Sequence, residues 1–160
     1  MSTAKRRGRP PSAVPPPPPP SPDGPDTGLS ADDLYWFAEG THHELHRKLG
    51  AQVLPAGGVR FLVWAPRARA VAVIGDWNDW HGDVDLLVPV ASSGVWSVVV
   101  AAARPGHRYK FRITSAHGDV LDKADPLARY AEVAPATASI VWQSGHTWND
   151  AAWMASRGAR

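Results

Sequence analysis

The chain has 160 residues, with 17 basic and 15 acidic side chains, a net charge of +2 and no cysteine. That length holds one ordinary domain and excludes an enzyme barrel, which needs about 250 residues. The near balance of charge does not demand a nucleic-acid partner, and the missing thiols exclude a disulfide framework or a thiolate metal site.

Ten of the 16 prolines lie within residues 1–28, including an unbroken run at 15–20, whereas all eight tryptophans follow residue 35. Residues 1–33 therefore read as a disordered, proline-rich tail carrying a polyproline II rod. At its front, Lys5-Arg6-Arg7-Gly8-Arg9-Pro10 resembles an AT-hook, a short segment that lies in the minor groove of A·T-rich DNA. Arg7 and Arg9 would be the DNA contacts. One copy of so short a core is weak support for a DNA partner.

From Leu29 the character changes. Ser30 ahead of Ala31-Asp32-Asp33 is a helix start with an N-cap and an acidic first turn. Leu34, Tyr35, Trp36 and Phe37 follow as an apolar cluster that Gly40 ends. Thr41 then caps a second predicted helix through Leu49, with Leu45 and Leu49 at i, i+4 spacing and Gly50 as its stop. His42 and His46 on that helix share the spacing of a zinc pair. A third ligand would have to come from elsewhere in the chain, so exposed histidines on an amphipathic helix are the plainer reading, and no metal or cofactor is assigned. Residues 34–56 form this helical lead-in.

After Gly57-Gly58 the period switches from helical to two. Strands are expected at 59–65, 70–75, 86–90, 95–100, 107–114 and 139–142. The clearest alternation sets Tyr109, Phe111 and Ile113 against Arg108, Lys110 and Arg112. Short strands separated by Gly, Pro, Asn and Asp predict an all-β fold, an antiparallel β-sandwich over residues 57–143. Residues 144–160 carry Trp148, Trp153 and Met154 without a strand pattern, and read as a connector whose apolar side chains need a partner. No apolar run reaches the length of a membrane span, and a soluble cytoplasmic protein is expected.

The densest feature is the turn Gly75-Asp76-Trp77-Asn78-Asp79-Trp80. An indole face stacks on the C–H face of a sugar ring, while Asn, Asp and Lys hydrogen-bond the hydroxyls around it. Both rings could instead plug the core. Trp77, beside the strand, is read that way, and Trp80 stands evenly between the two roles. Asn78 and Lys110 are the polar companions, although Lys110 also fits a solvated strand face. The acids Asp79, Asp83, Asp85, Asp119, Asp122 and Asp125 fall in turns and suit turn chemistry rather than a glycosidase pair. No catalytic residue is assigned.

Several segments together resemble one family. Residues 35–51, running Tyr-Trp-Phe-Ala-Glu-Gly-Thr-His to Lys-Leu-Gly-Ala, are similar to the opening of bacterial glycogen branching enzymes. Val63-Trp64-Ala65-Pro66 and the Gly75 to Trp80 turn resemble the family-48 carbohydrate-binding module that follows there. Tyr109-Lys110-Phe111, Ala124-Asp125-Pro126, Thr137-Ala138-Ser139 and Trp148-Asn149-Asp150 occur in the expected order. The resemblance implies an immunoglobulin-like module ahead of an α-amylase-type barrel that moves α-1,4 glucan segments to α-1,6 positions. Both barrel carboxylates are absent from this chain, which is expected to be inactive alone. Trp80 and Lys110 match positions that contact α-glucan in sugar-binding members, whereas the 117–120 turn lacks their second tryptophan. A stand-alone glucan-binding module is the alternative, and a DNA-associated protein the second.

Overall fold

The computed structural model describes residues 27–159. The polyproline run, Arg7 and Arg9 lie outside the described residues. Among the described residues nine strands make two antiparallel sheets: β1 Gly50–Val53, β2 Val59–Trp64, β3 Ala68–Gly75, β4 Val88–Val90, β5 Val95–Val100, β6 Arg108–Ser115, β7 Val120–Lys123, β8 Tyr130–Ala131 and β9 Ser139–Ile140. The first sheet runs β1-β2-β5-β4 and the second β3-β6-β9-β8, with β7 also paired to β6. The sheets pack as an immunoglobulin-like sandwich.

The inter-sheet core is aromatic. Phe61 from β2 stacks on Trp77 at 5.3 Å between ring centroids and meets Tyr109 edge-on at 5.0 Å. Alternation along β6 drives Tyr109 and Phe111 inward while Arg108 stays exposed. The Tyr109 hydroxyl donates to Asp125 at 2.6 Å, and the Asp125 amide donates to the Ser139 hydroxyl at 2.9 Å. Burial pushes the Asp125 carboxyl upward, against the hydrogen bonds from Tyr109 and Leu127. It also pushes the Tyr109 phenol upward, with the charge of Asp125 adding to the effect.

The apolar run of β2 is buried on both faces, which explains why it lacks the alternation of a half-buried strand. Phe61 and Val63 point into the sandwich, and Leu62 points outward beneath the lead-in. There, helix α1 (Ala31–Ala38) lays Leu34 and Phe37, with Leu29, Leu45 and Leu127, over Leu49, Leu62, Val90 and Val95. Ser30 caps the helix by accepting from the Asp33 amide at 3.1 Å, while the Asp33 carboxylate takes the Ser30 amide at 2.8 Å. The Thr27 carbonyl accepts a bond from the Ser97 hydroxyl on β5 at 3.0 Å. Ordered packing thus reaches back to residue 27, and a tail extending to residue 33 is too long.

The predicted helix over 41–49 does not form. Only a 3-10 turn at Leu45–Arg47 appears. The cause is the pull of Asp33 on its neighbours: His42 Nε2 lies 2.9 Å from its carboxylate, and the Glu44 amide donates to His42 Nδ1 at 3.3 Å. Those bonds are consistent with one neutral tautomer, protonated on Nε2. Gly50, expected as a helix stop, instead opens β1 at φ +81°, where a Cβ would stand 3.0 Å from an Asp125 carboxylate oxygen. The strands β1, β7 and β8 had no counterpart in the expected set.

Past β9, residues 141–150 carry no regular structure, and a six-residue helix α2 (Ala151–Ser156) follows. Trp148 is 78% exposed and Trp153 59% exposed. No helix among the described residues is long and apolar enough to cross a membrane.

Candidate functional site

The turn after β3 divides its two indoles between the core and the surface. Trp77 folds inward onto Phe61, and its Nε1 donates to Asp85 at 2.8 Å. Asn78 is buried and uses its whole amide on the protein. Its Oδ1 accepts from the Gly75 amide at 2.9 Å, and its Nδ2 donates to the Val73 carbonyl and to Asp85. Its place is therefore inside the turn, which it braces, with no amide group left toward the surface.

With residues 75, 77 and 78 fixed, the chain reverses through Asp79 at φ +50° and Trp80 at φ +62°. Two successive non-glycine residues in the left-handed region are strained, and such strain concentrates at sites that bind or act. Trp80 emerges half-buried. The chain then returns along the free edge of β3, where Leu86 bridges Ala72 and the Asp85 carbonyl accepts from the Val73 amide, while Arg112 stays partly exposed on β6.

Trp80, His81, Gly82, Asp83, Arg112 and Val120 line an open hollow of about 460 Å³. Arg112 lies close over Gly82, where an added Cβ would come within 2.6 Å of its Cδ. Its guanidinium is held by both carboxylate oxygens of Asp122 on β7, at 2.7 and 2.8 Å. The Arg112 hydrogen bonds, opposed by partial burial, hold Asp122 below the usual carboxylate range.

On the same face of β6, Arg108 reaches Asp76 at 2.9 Å and Glu132 at 3.4 Å. Burial raises the Asp76 carboxyl, but bonds from Arg108 and from the Trp80 side chain bring it below its ordinary value. Lys110 stands between the two arginines, and its Nζ donates to the Thr137 hydroxyl at 2.8 Å. The structure therefore places Trp80 and Lys110 on one outer face, with Lys110 outside the hollow that Trp80 lines. Arg112 was not expected as part of this site. Its signal lay in the strand pattern, two residues beyond Lys110 on the same side.

A separate cavity of about 540 Å³ lies beside α1, lined by Trp36, Thr41, His43, Lys48 and the Asp33–His42 pair. Burial alone would raise the Asp33 carboxyl, but bonds from Ser30, His42 and Lys48 hold it at about 2. This is a stabilising network. His42 serves Asp33, His46 is exposed on the turn, and no cluster of metal-ligating groups occurs among the described residues. The zinc spacing of His42 and His46 fails for want of the helix.

Similarity to known proteins agrees with this architecture. Residues 48–128 match carbohydrate-binding module 48, the isoamylase N-terminal domain. The chain is 51% identical over 133 residues to the 1,4-alpha-glucan branching enzyme GlgB of Albidiferax ferrireducens, covering 82% of this chain and 21% of that protein. It is 52% identical over 130 residues to the GlgB of Aromatoleum aromaticum, covering 81% of this chain and 20% of the relative. It thus spans about a fifth of the length of these relatives. Among solved structures, Klebsiella pneumoniae pullulanase complexed with maltotriose superposes with a TM-score of 0.50 at 25% identity, over 59% of this chain and 9% of the other. Sheet order, the aromatic core and sequence similarity converge: the chain belongs to the carbohydrate-binding module 48 family, and corresponds to the non-catalytic N-terminal part of glycogen branching enzymes.

Proposed function

We propose that the chain is the glucan-contacting module of a cytoplasmic 1,4-α-glucan branching enzyme, working beside an α-amylase-type barrel that carries the transfer chemistry. Residues 144–160 serve as the link toward that barrel. The module itself holds α-1,4 glucan on the outer face of the second sheet. Trp80 supplies the stacking surface, Lys110 and Arg112 bond hydroxyls, and Asn78 shapes the turn from within.

The observation that carries this reading is the presentation of Trp80, half-exposed on a left-handed backbone and beside charged groups already fixed by partners. A sugar ring seated there covers apolar area on the indole, at about 25 cal/mol per Å². It meets side chains whose positions are set in advance, which lowers the ordering penalty of binding.

Affinity electrophoresis through glycogen tests it. The full chain is expected to be retarded, and Trp80→Ala to weaken binding about tenfold, equivalent to about 1.4 kcal/mol. Migration of the wild type unaffected by glycogen would overturn the reading.

A further inference from the structure

The outer face of the second sheet does not end at Lys110. Arg108 on β6 lies opposite Ile140 on β9, and Ile140 lies opposite Tyr130 on β8. Residues directly opposed in an antiparallel pair point to the same side, so Arg108, Ile140 and Tyr130 share one face. Trp142, two residues past Ile140, returns to that side and meets Tyr130 with ring centroids 4.9 Å apart and planes tilted by 33°. The alternation is visible in burial: Ser139 and Val141 are in the core, whereas Trp142 is 44% and Tyr130 51% exposed. Glu132, two residues from Tyr130, confirms the geometry by pairing with Arg108.

We infer that Tyr130 and Trp142 form a second aromatic subsite for the same glucan chain, at the far side of the face from Trp80. The inference rests on the reading proposed above and extends it to residues lying outside the matched family segment of 48–128. Strand order sets the separation. Trp80 is anchored at the end of β3 by its amide bond to the Gly75 carbonyl, and β3, β6, β9 and β8 follow in sequence. Three inter-strand spacings amount to about 14 Å. The intervening surface carries Arg108 with its two carboxylates, and Lys110 with Thr137. A row of fixed polar groups between a half-exposed indole and an exposed aromatic pair is suited to a polymer of rings with hydroxyl edges. A single sugar unit cannot touch both ends, so the face selects for length: a short oligosaccharide occupies one end and a longer chain crosses the sheet.

Titration calorimetry of the full chain with maltotriose and with maltohexaose tests this. Trp80→Ala is expected to weaken both ligands. Trp142→Ala and Tyr130→Ala are expected to weaken maltohexaose by about five- to tenfold while leaving maltotriose within about twofold, and Trp142→Tyr, which keeps a ring, to restore most of the loss. In the unsubstituted protein, the Trp142 indole N–H resonance is expected to shift with maltohexaose and not with maltotriose, a readout that needs no variant to fold. An unmoved Trp142 resonance, or maltohexaose affinity indifferent to Trp142→Ala while Trp80→Ala still lowers it, would overturn the second subsite. The aromatic pair would then be a packing contact on the sheet edge, or a surface covered by the rest of a longer polypeptide. Binding of both ligands unaffected by Trp80→Ala would instead defeat the underlying glucan reading.

Discussion

The two segments flanking the sandwich are alike in composition and opposite in what they do with it. Residues 27–47 and 144–159 each carry large apolar side chains, and each lies outside the matched family segment. The first is seated: Leu29, Leu34, Phe37 and Leu45 close over Leu62, Val90 and Val95, and a capping box fixes the helix that delivers them. The second is not. Trp148, Trp153 and Met154 are exposed, and the guanidinium of Arg157 lies 5.7 Å from the Trp153 ring centre. A hydrophobic segment is thus an integral layer of the domain on one side, and surface in search of cover on the other.

The largest effect should come from truncation. Removing residues 1–47 uncovers the outer face of the first sheet. Four apolar side chains, each worth about 1.5–3 kcal/mol when fully buried and less when partly so, amount to on the order of several kcal/mol, a large fraction of the stability of a small domain. That variant is expected to lose its cooperative thermal transition, whereas a chain ending at residue 143 should melt within about 2 °C of the original. Equal melting of both would erase the distinction.

A finer probe is Asp33, whose folded pKa of about 2 lies below its ordinary value of 3.8. Because the folded value is depressed, the contribution is complete above about pH 4 and disappears as pH falls through 2. Asp33→Asn should remove on the order of 2 kcal/mol at neutral pH and flatten the acid limb of the stability curve between about pH 4 and 2. An unchanged acid limb in urea titrations would show that the network around α1 is decorative.

The smallest effect on stability is expected at the other end. The unsubstituted chain is expected to self-associate with rising concentration in sedimentation velocity, and Trp148→Ser with Trp153→Ser to remove that association while leaving the melting temperature unaltered. Hydrogen exchange offers the matching contrast, with the α1 amides protected and those after residue 143 exchanging fast. Protection of both segments in a monomer would contradict it.

The sandwich was readable because its main strands advertise themselves. The expected strands at 59–65, 70–75, 95–100 and 107–114 sit on β2, β3, β5 and β6 to within two residues at either end. Ser30 announced its helix for the same local reason. Failures occurred where long-range contacts overruled local chemistry. Leu45 and Leu49 have helical spacing, yet Leu45 reaches the cluster from a 3-10 turn and Leu49 from the residue just before β1, once Asp33 captures His42. Asp122 resembles a turn residue, yet pairing with β6 from Phe111–Lys123 to Thr114–Val120 makes it part of strand β7, with Arg112 holding its carboxylate. In the candidate site, Trp80 and Lys110 could be picked out because aromatic and cationic residues stand out in any pattern. Asn78 looked like a sugar contact until its partners were known, and the alignment of Tyr130 with Trp142 depends on the register of three strands.

The left-handed pair at Asp79 and Trp80 has a thermodynamic consequence beyond its place in the turn. A tryptophan on a flexible loop must surrender backbone freedom when it stacks on a ligand, and that loss is of order 1–2 kcal/mol for each residue newly fixed. Here the freedom has already been spent during folding, with the Asn78 amide and the Gly75 carbonyl holding the chain in place. Recognition at such a turn should be nearly free of backbone ordering, so its binding entropy will reflect water released from the indole more than chain immobilised around it.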